Sequence, residues 1–278
     1  MSATRVMFRL EMAEALRSRW LVFTAAVYVA VFGLFVWLGL RESSVLGFTG
    51  VSRVILNVSN AVVLAVPLVA LVATSQTVVR ARQSGFFELM LTQPVRRADW
   101  FAGVVVSRFA VVLGPLLALL LVALVVGSTT GESEPGLVSI VMRALAVTAG
   151  LGWAFIGIGF FISTYAKSPE RATVLALLAW TTASALHDFA LIGVLLRAKL
   201  TPAVVFSLAA ANPVEAARIA ILGAVDPELS VLGPVGFWLA NTLGPRLTLA
   251  VGVFWPALLG TLALMLAQRR LSRTDLVG

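Results

Sequence analysis

The sequence predicts an all-α integral membrane protein with six transmembrane helices and both termini in the cytoplasm. First, 60% of its 278 residues are hydrophobic and 12% charged, against roughly 25% charged in a soluble domain. Second, the mean hydropathy is +0.99, and apolar runs of about the 20 residues needed to cross a bilayer recur along the whole chain. Third, the arginines gather at the ends of alternate runs. Thirteen Lys or Arg fall in segments assigned inside and six in segments assigned outside, as the positive-inside tendency requires. The net charge of +8 and pI near 11.3 would suggest nucleic acid in a soluble protein; here orientation and lipid headgroups explain them.

An amphipathic elbow helix is expected over residues 5–19, with Val6, Leu10, Ala13 and Leu16 on one face. A charged, broken pattern at the amino end predicts no removable signal peptide. The first span covers about residues 20–40 and is opened by the interfacial Trp20. The second covers about 54–79, with Asn57 and Asn60 near its start and Pro67 inside, and the third about 101–127, with Pro115 inside. Each internal proline predicts a kink, tolerated where neighbours satisfy the freed carbonyl. The turn from Ser128 to Gly136 holds Glu132 and Glu134 and no base, which fits an outer position.

The fourth span, about 137–163, carries Gly150, Gly152, Gly157 and Gly159. Small residues let helix backbones approach in lipid, so close packing is the favoured reading, with a substrate path as the alternative. Lys167 and Arg171 mark an inner turn before the fifth span, about 172–196. Residues 197–246 hold Pro202, Pro213, Pro227, Pro234 and Pro245, too punctuated for one crossing. They predict a long outer loop of short helices, one from Pro213 to Leu222. The last span, about 247–267, ends in Gln268, Arg269, Arg270 and Arg273. The whole chain is thus a single membrane domain, 1–278.

The stretch from Arg80 to Trp100 stands apart as a polar-flanked segment between spans. Arg80 and Arg82 open it and Arg96 and Arg97 close it, placing it inside. Phe86, Leu89 and Met90 recur at helical spacing, while Gln83, Ser84 and Glu88 offer polar contacts. Gly85 suits close approach of another backbone and Pro94 ends the helix. Such a helix either docks a soluble partner or only anchors two spans at the interface.

The run Ser84, Gly85, Phe86, Phe87, Glu88, Leu89, Met90, Leu91, Thr92, Gln93, Pro94, Val95, Arg96, Arg97 resembles the first cytoplasmic loop of exporter-like ABC-transporter permeases. Residues 17–21, 46–49 and Asn212-Pro213 with Arg218 resemble the NosY-type branch of that family. The chain departs from the family pattern at Arg82 and Gln83, where acids are usual, and at Val104, where a lysine is usual. The resemblance implies a coupling helix built from Ser84, Gly85, Phe86, Glu88, Leu91, Thr92, Pro94 and Arg96. It implies an inner-membrane location, a separate ATPase subunit (NosF-like) that binds ATP and Mg, and a second permease copy. It also implies a periplasmic accessory protein (NosD-like) engaging Asn212, Pro213, Glu215 and Arg218. The process implied is copper-site maturation of nitrous-oxide reductase, with copper or a sulfur species as cargo of the complex. Export of a lipid, drug or peptide is the alternative within the family.

Asp188, beside His187 in the fifth span, is the polar candidate within the membrane. An ionisable residue there is costly and marks either function or a hydrogen bond to a neighbouring helix. His187 is the only histidine and the chain has no cysteine, so neither disulfides nor a credible copper or zinc site is expected. The six methionines are scattered and read as apolar filler, and Arg108 and Arg143 as residues that reach toward headgroups. A phosphate-binding loop needs a glycine-flanked lysine, but Lys167 and Lys199 each follow alanine. No ATPase site and no other enzyme activity is therefore expected of this chain. A secondary transporter would call for inverted repeats, and no convincing repeat is found.

Overall fold

The computed structural model describes residues 3–17, 19–42, 50–93, 95–129, 137–226, 228–229 and 232–273. Its helices are α1 (Ala3–Arg17), α2 (Arg19–Glu42), α3 (Gly50–Thr74), α4 (Thr77–Gln83), α5 (Phe86–Leu91), α6 (Arg97–Thr129) and α7 (Leu137–Tyr165). They continue with α8 (Pro169–Thr181), a π-helical turn Thr182–Leu186, α9 (His187–Arg197), α10 (Pro202–Ala211), α11 (Pro213–Val225), α12 (Gly233–Thr242) and α13 (Gly244–Arg273). Among the described residues no strand occurs. The expectations for residues 46–49, for Pro94 and for the acidic turn with Glu132 and Glu134 lie outside the described residues.

Among the described residues five helical stretches are long and apolar enough to cross a membrane, running over 61–83, 97–122, 138–165, 169–197 and 244–273. They correspond to predicted spans two to six. The first predicted span falls in α2, whose described apolar stretch is Thr24–Leu34. The bent pair α10–α11, folded by 118°, would add one more crossing if counted as a broken span. This is a multi-pass membrane protein.

Pro67 and Pro115 lie inside α3 and α6 as anticipated. The second span differs from expectation, because its helix breaks at Ser75 and Gln76 and resumes as α4, which carries Arg80 and Arg82. The polar stretch 80–100 is therefore the end of one helix, a short separate helix and the first turn of α6, rather than one docking helix.

Prolines start three of the short helices, because a residue lacking N–H with φ already fixed is well suited to the first helical turn. Pro202, Pro213 and Pro234 each sit there, in α10, α11 and α12. Ser168 caps α8, its Oγ accepting from the Arg171 amide at 3.4 Å, with Pro169 following.

Close approach of α7 and α13 forms the centre of the bundle. A methyl group on Gly150 would lie 2.6 Å from the Val253 carbonyl oxygen, and one on Gly157 would overlap the Gly260 backbone. Trp153 Nε1 donates to Thr261 Oγ1 across the same seam at 3.0 Å. The glycines of the fourth span thus serve packing. Around them Val66, Val112, Leu151, Phe155 and Phe160 form the buried core.

α11 departs most from the expected surface helix. Val214, Ala217, Ala220 and Ile221 are buried in the main core, and Ala216 and Ala220 press on Gly252 of α13. This helix is part of the bundle rather than one resting flat on a leaflet. The start of α6 lies near the last turn of α13, with Arg97 Nη1 donating to the Leu271 carbonyl at 3.3 Å. α1 lies along this same part of α6, where a methyl group on Gly103 would meet the Phe8 amide at 3.1 Å. The α4–α5 pair joins this end, and α10–α12 cover the opposite one.

Candidate functional site

At the first end, α5 is seated by aromatic rings. Phe86, Phe87 and Trp100 form a three-ring cluster with centroids 5.0 to 5.8 Å apart. Phe87 is 1% exposed and Met90 is also buried, whereas Leu89 is 71% exposed. The helical spacing of Phe86, Leu89 and Met90 therefore does not define one buried face; Phe87 replaces Leu89 inside. Glu88, Leu89, Thr92, Gln93 and Arg96 face outward together. The Leu91 side chain and Pro94 lie outside the described residues.

Gly85 adopts φ +72° at the entrance to α5, a left-handed conformation that costs a side-chain-bearing residue about 1–2 kcal/mol. It makes no close backbone contact, so its role is the turn itself. Ser84 Oγ donates to the Ala81 carbonyl, and Thr92 Oγ1 to that of Leu89. These two bonds close the turns on either side of the short helix.

α4 lacks a capping side chain of its own, since Gln76 provides none. Its first amides are satisfied from another span: Val78 N and Val79 N donate to Ser163 Oγ of α7 at 2.8 and 3.2 Å. Arg82 Nη2 donates to the neighbouring Thr164 carbonyl at 3.1 Å, and Gln76 donates to Thr173 of α8. α4 is thus bonded directly to the end of α7 and the start of α8. Ser163 and Trp100 were not singled out from sequence. The available signals were a helix start without a cap of its own and a serine at the polar end of an apolar span.

Beside this seat lies a cleft of about 400 Å3 lined by α1, α3, α4 and α6, including Glu11, Glu14, Arg80, Trp100 and Arg108. Burial raises the Glu11 carboxyl above the usual carboxylate range, partly offset by the Arg108 guanidinium. Arg108 therefore faces this cleft, while Arg143 is exposed.

At the other end, residues chosen from sequence for two separate reasons come together. Arg218 Nη1 lies 3.2 Å from Asp188 Oδ2 and 2.6 Å from Glu215 Oε1. His187 Nε2 meets the Leu208 carbonyl of α10 at 3.2 Å, a contact in which the ring nitrogen donates. Asn212 does two jobs. Its Oδ1 accepts from Val214 N at 3.0 Å, capping α11, and its Nδ2 donates to the Ala183 carbonyl in the π-helical turn at 2.6 Å. Pro213 begins the helix that this cap stabilises.

These contacts place Asn212, Glu215 and Arg218 against the fifth span. Asn212 is buried and the Glu215 side chain is 12% exposed, so neither is a free surface group as expected from sequence; Arg218 and Asp188 retain about 30%. The fifth span presents mostly exposed apolar side chains. The polar contacts at its π-helical turn and the start of α9 therefore carry much of its attachment at this end. π-Helical turns inside spans often accompany functional positions. Among the described residues, no group of three or more acidic or histidine side chains is placed to hold a metal ion.

The two ends are joined by packed helices: α4 to α7 through Ser163, α7 to α13 through Gly157 and Gly260, and α13 to α11 through Gly252. From α11 the series reaches α9 through Arg218 and Asp188.

Comparison with known proteins bears on this arrangement. The chain is 26% identical over 266 residues to the probable ABC transporter permease protein NosY of Stutzerimonas stutzeri, covering 93% of each chain. It is 27% identical over 263 residues to the protein of the same name in Pseudomonas aeruginosa, covering 88% of this chain and 95% of that one. The sequence profile of the ABC-2 family transporter proteins matches residues 5–270. With nearly its whole length matched, this chain belongs to the ABC-2 family of transporter proteins, as a NosY-like permease.

Proposed function

We propose that this chain is the permease of an ABC complex whose separate ATPase subunit pushes on α5, and that the bundle carries the motion to the α10–α12 end. The observation that carries this reading is the construction of α5. Its inner face is locked into a three-ring cluster and its neighbour α4 is capped by another span, yet Glu88, Leu89, Thr92 and Gln93 remain exposed. On a firmly seated helix, an outward rim of Glu88, Leu89, Thr92 and Gln93 offers a soluble subunit both polar and apolar contacts.

Two copies of the permease pair with two NosF-like ATPases, which bind ATP and Mg. A NosD-like partner engages the opposite end, where Lys199, Thr201, Glu228, Asn241 and Arg246 are exposed. The similarity to NosY supports an inner-membrane complex serving copper-site assembly of nitrous-oxide reductase, with copper or a sulfur species as cargo.

Reconstituted complexes of permease and ATPase test the coupling. Glu88→Lys and Leu89→Asp should leave assembly in the membrane unchanged and lower partner-stimulated ATP hydrolysis several-fold. Normal stimulation in both variants would refute the docking role. Deleting the gene should yield nitrous-oxide reductase deficient in copper; a fully loaded enzyme would refute the maturation role while leaving the coupling result untouched.

A further inference from the structure

Glu215 and Asp188 share one cation. Arg218 Nη1 contacts both carboxylates, and few other charges stand nearby. α10 and α12 carry no ionisable side chain, and the described side chains of α3 carry none. Arg143 of α7, Arg197 of α9 and Arg246 of α13 are exposed, and the remaining basic residues of α13 lie in its last turns. Among the described residues His187 alone joins the group, with Nδ1 3.9 Å from Asp188 Oδ1. Its Nε2 carries a proton, because the Leu208 carbonyl that it meets can only accept.

Arg218 alone cannot balance two carboxylates: with both acids ionised, Glu215, Arg218 and Asp188 together carry one net negative charge between packed helices. Such a charge is expensive in a low-dielectric surrounding, and one proton removes it. The two acids are not equivalent. Glu215 is the more buried, and the Asp188 carboxylate accepts a well-formed hydrogen bond from Arg218. Ser184 Oγ, His187 Nδ1 and Arg218 Nε are also buried there without a hydrogen-bond partner among the described residues.

We infer that Glu215, Arg218 and Asp188 form a proton-binding site, in which Glu215 holds one exchangeable proton while Arg218 bonds to Asp188. The proton comes from water, forms an O–H bond on the Glu215 carboxyl, and returns to water when that bond breaks; no electrons are exchanged. Its presence commits Arg218 to the fifth span, and its release lets Glu215 compete for the same guanidinium. The attachment of α11 to α9 thereby responds to acidity.

Infrared spectra of the full chain in lipid nanodiscs, with glutamate carboxyls labelled with carbon-13, test the site directly at neutral pH. The wild type minus Glu215→Gln difference should contain a protonated-carboxyl band that shifts in heavy water. In Asp188→Asn the same band should disappear, because Arg218 then neutralises Glu215 alone. Glu215→Gln and Asp188→Asn preserve side-chain shape, and a purely structural role for Glu215 produces no such band. Absence of the band from the wild-type difference, or its persistence in Asp188→Asn, overturns the proposal.

Discussion

Arg218 donates from Nη1 to Asp188 Oδ2 at 3.2 Å, bonding the bundle-embedded helix α11 to the fifth span thirty residues earlier. The same guanidinium reaches Glu215, so the members of the triad differ in what their removal leaves behind. Arg218→Met leaves two acids without their cation, whereas Asp188→Asn leaves Arg218 paired with Glu215. Loss of about 3 kcal/mol is expected for the first and about 1 kcal/mol for the second. Thermal unfolding of the purified variants should rank them in that order, and equal losses would show that the pair is not shared.

Gly157 and Gly33 provide a matched comparison. A methyl group at Gly157 overlaps the Gly260 backbone, which cannot rotate away, while one at Gly33 meets nothing within 4 Å. Gly157→Ala should destabilise by about 1–3 kcal/mol through overpacking. Gly33→Ala should be neutral, or stabilising by up to about 1 kcal/mol from helix propensity. The check is the difference in unfolding midpoint between the two variants in the same detergent.

Phe87 and Leu89 separate seating from signalling within one short helix. Phe87→Ala should cost about 3–5 kcal/mol because the ring is buried against Trp100. Leu89→Asp should leave stability within about 0.5 kcal/mol, the range for exposed positions. Measuring unfolding alongside ATP hydrolysis should show lost stability in the first and lost coupling in the second.

Ser163→Ala removes the acceptor used by the Val78 and Val79 amides. Loss of a cap costs about 1–2 kcal/mol, and here it falls on α4 alone. Hydrogen exchange should quicken over residues 77–83 while the α7–α13 seam remains protected.

The absence of native cysteine makes orientation directly measurable. Glu228→Cys and Gln93→Cys both introduce exposed thiols. An impermeant reagent added to intact cells should label the first, and the second only after lysis. The reverse pattern would invert the topology.

Much of this architecture was legible without coordinates because the signals are local. A bilayer-length apolar run declares a span wherever the chain goes, and a proline in a polar, punctuated stretch can open a helix, as expected and found for Pro213. The residue types of the polar cluster were also visible, since Asp188 is conspicuous within a hydrophobic stretch. Asp188 and Arg218 as partners were not visible, nor was the burial of Asn212, because nothing in residue spacing encodes a contact between helices joined by a folded hairpin. Helical periodicity grouped Leu89 with Phe86 and Met90, yet Phe87 is the residue turned inward, against Trp100 brought alongside by α6. Ser163 likewise caps a helix eighty-five residues before it. Local hydropathy and backbone chemistry determined the elements, and only the tertiary structure decided which side chains they share, because packing and charge pairing depend on distances the folded chain creates.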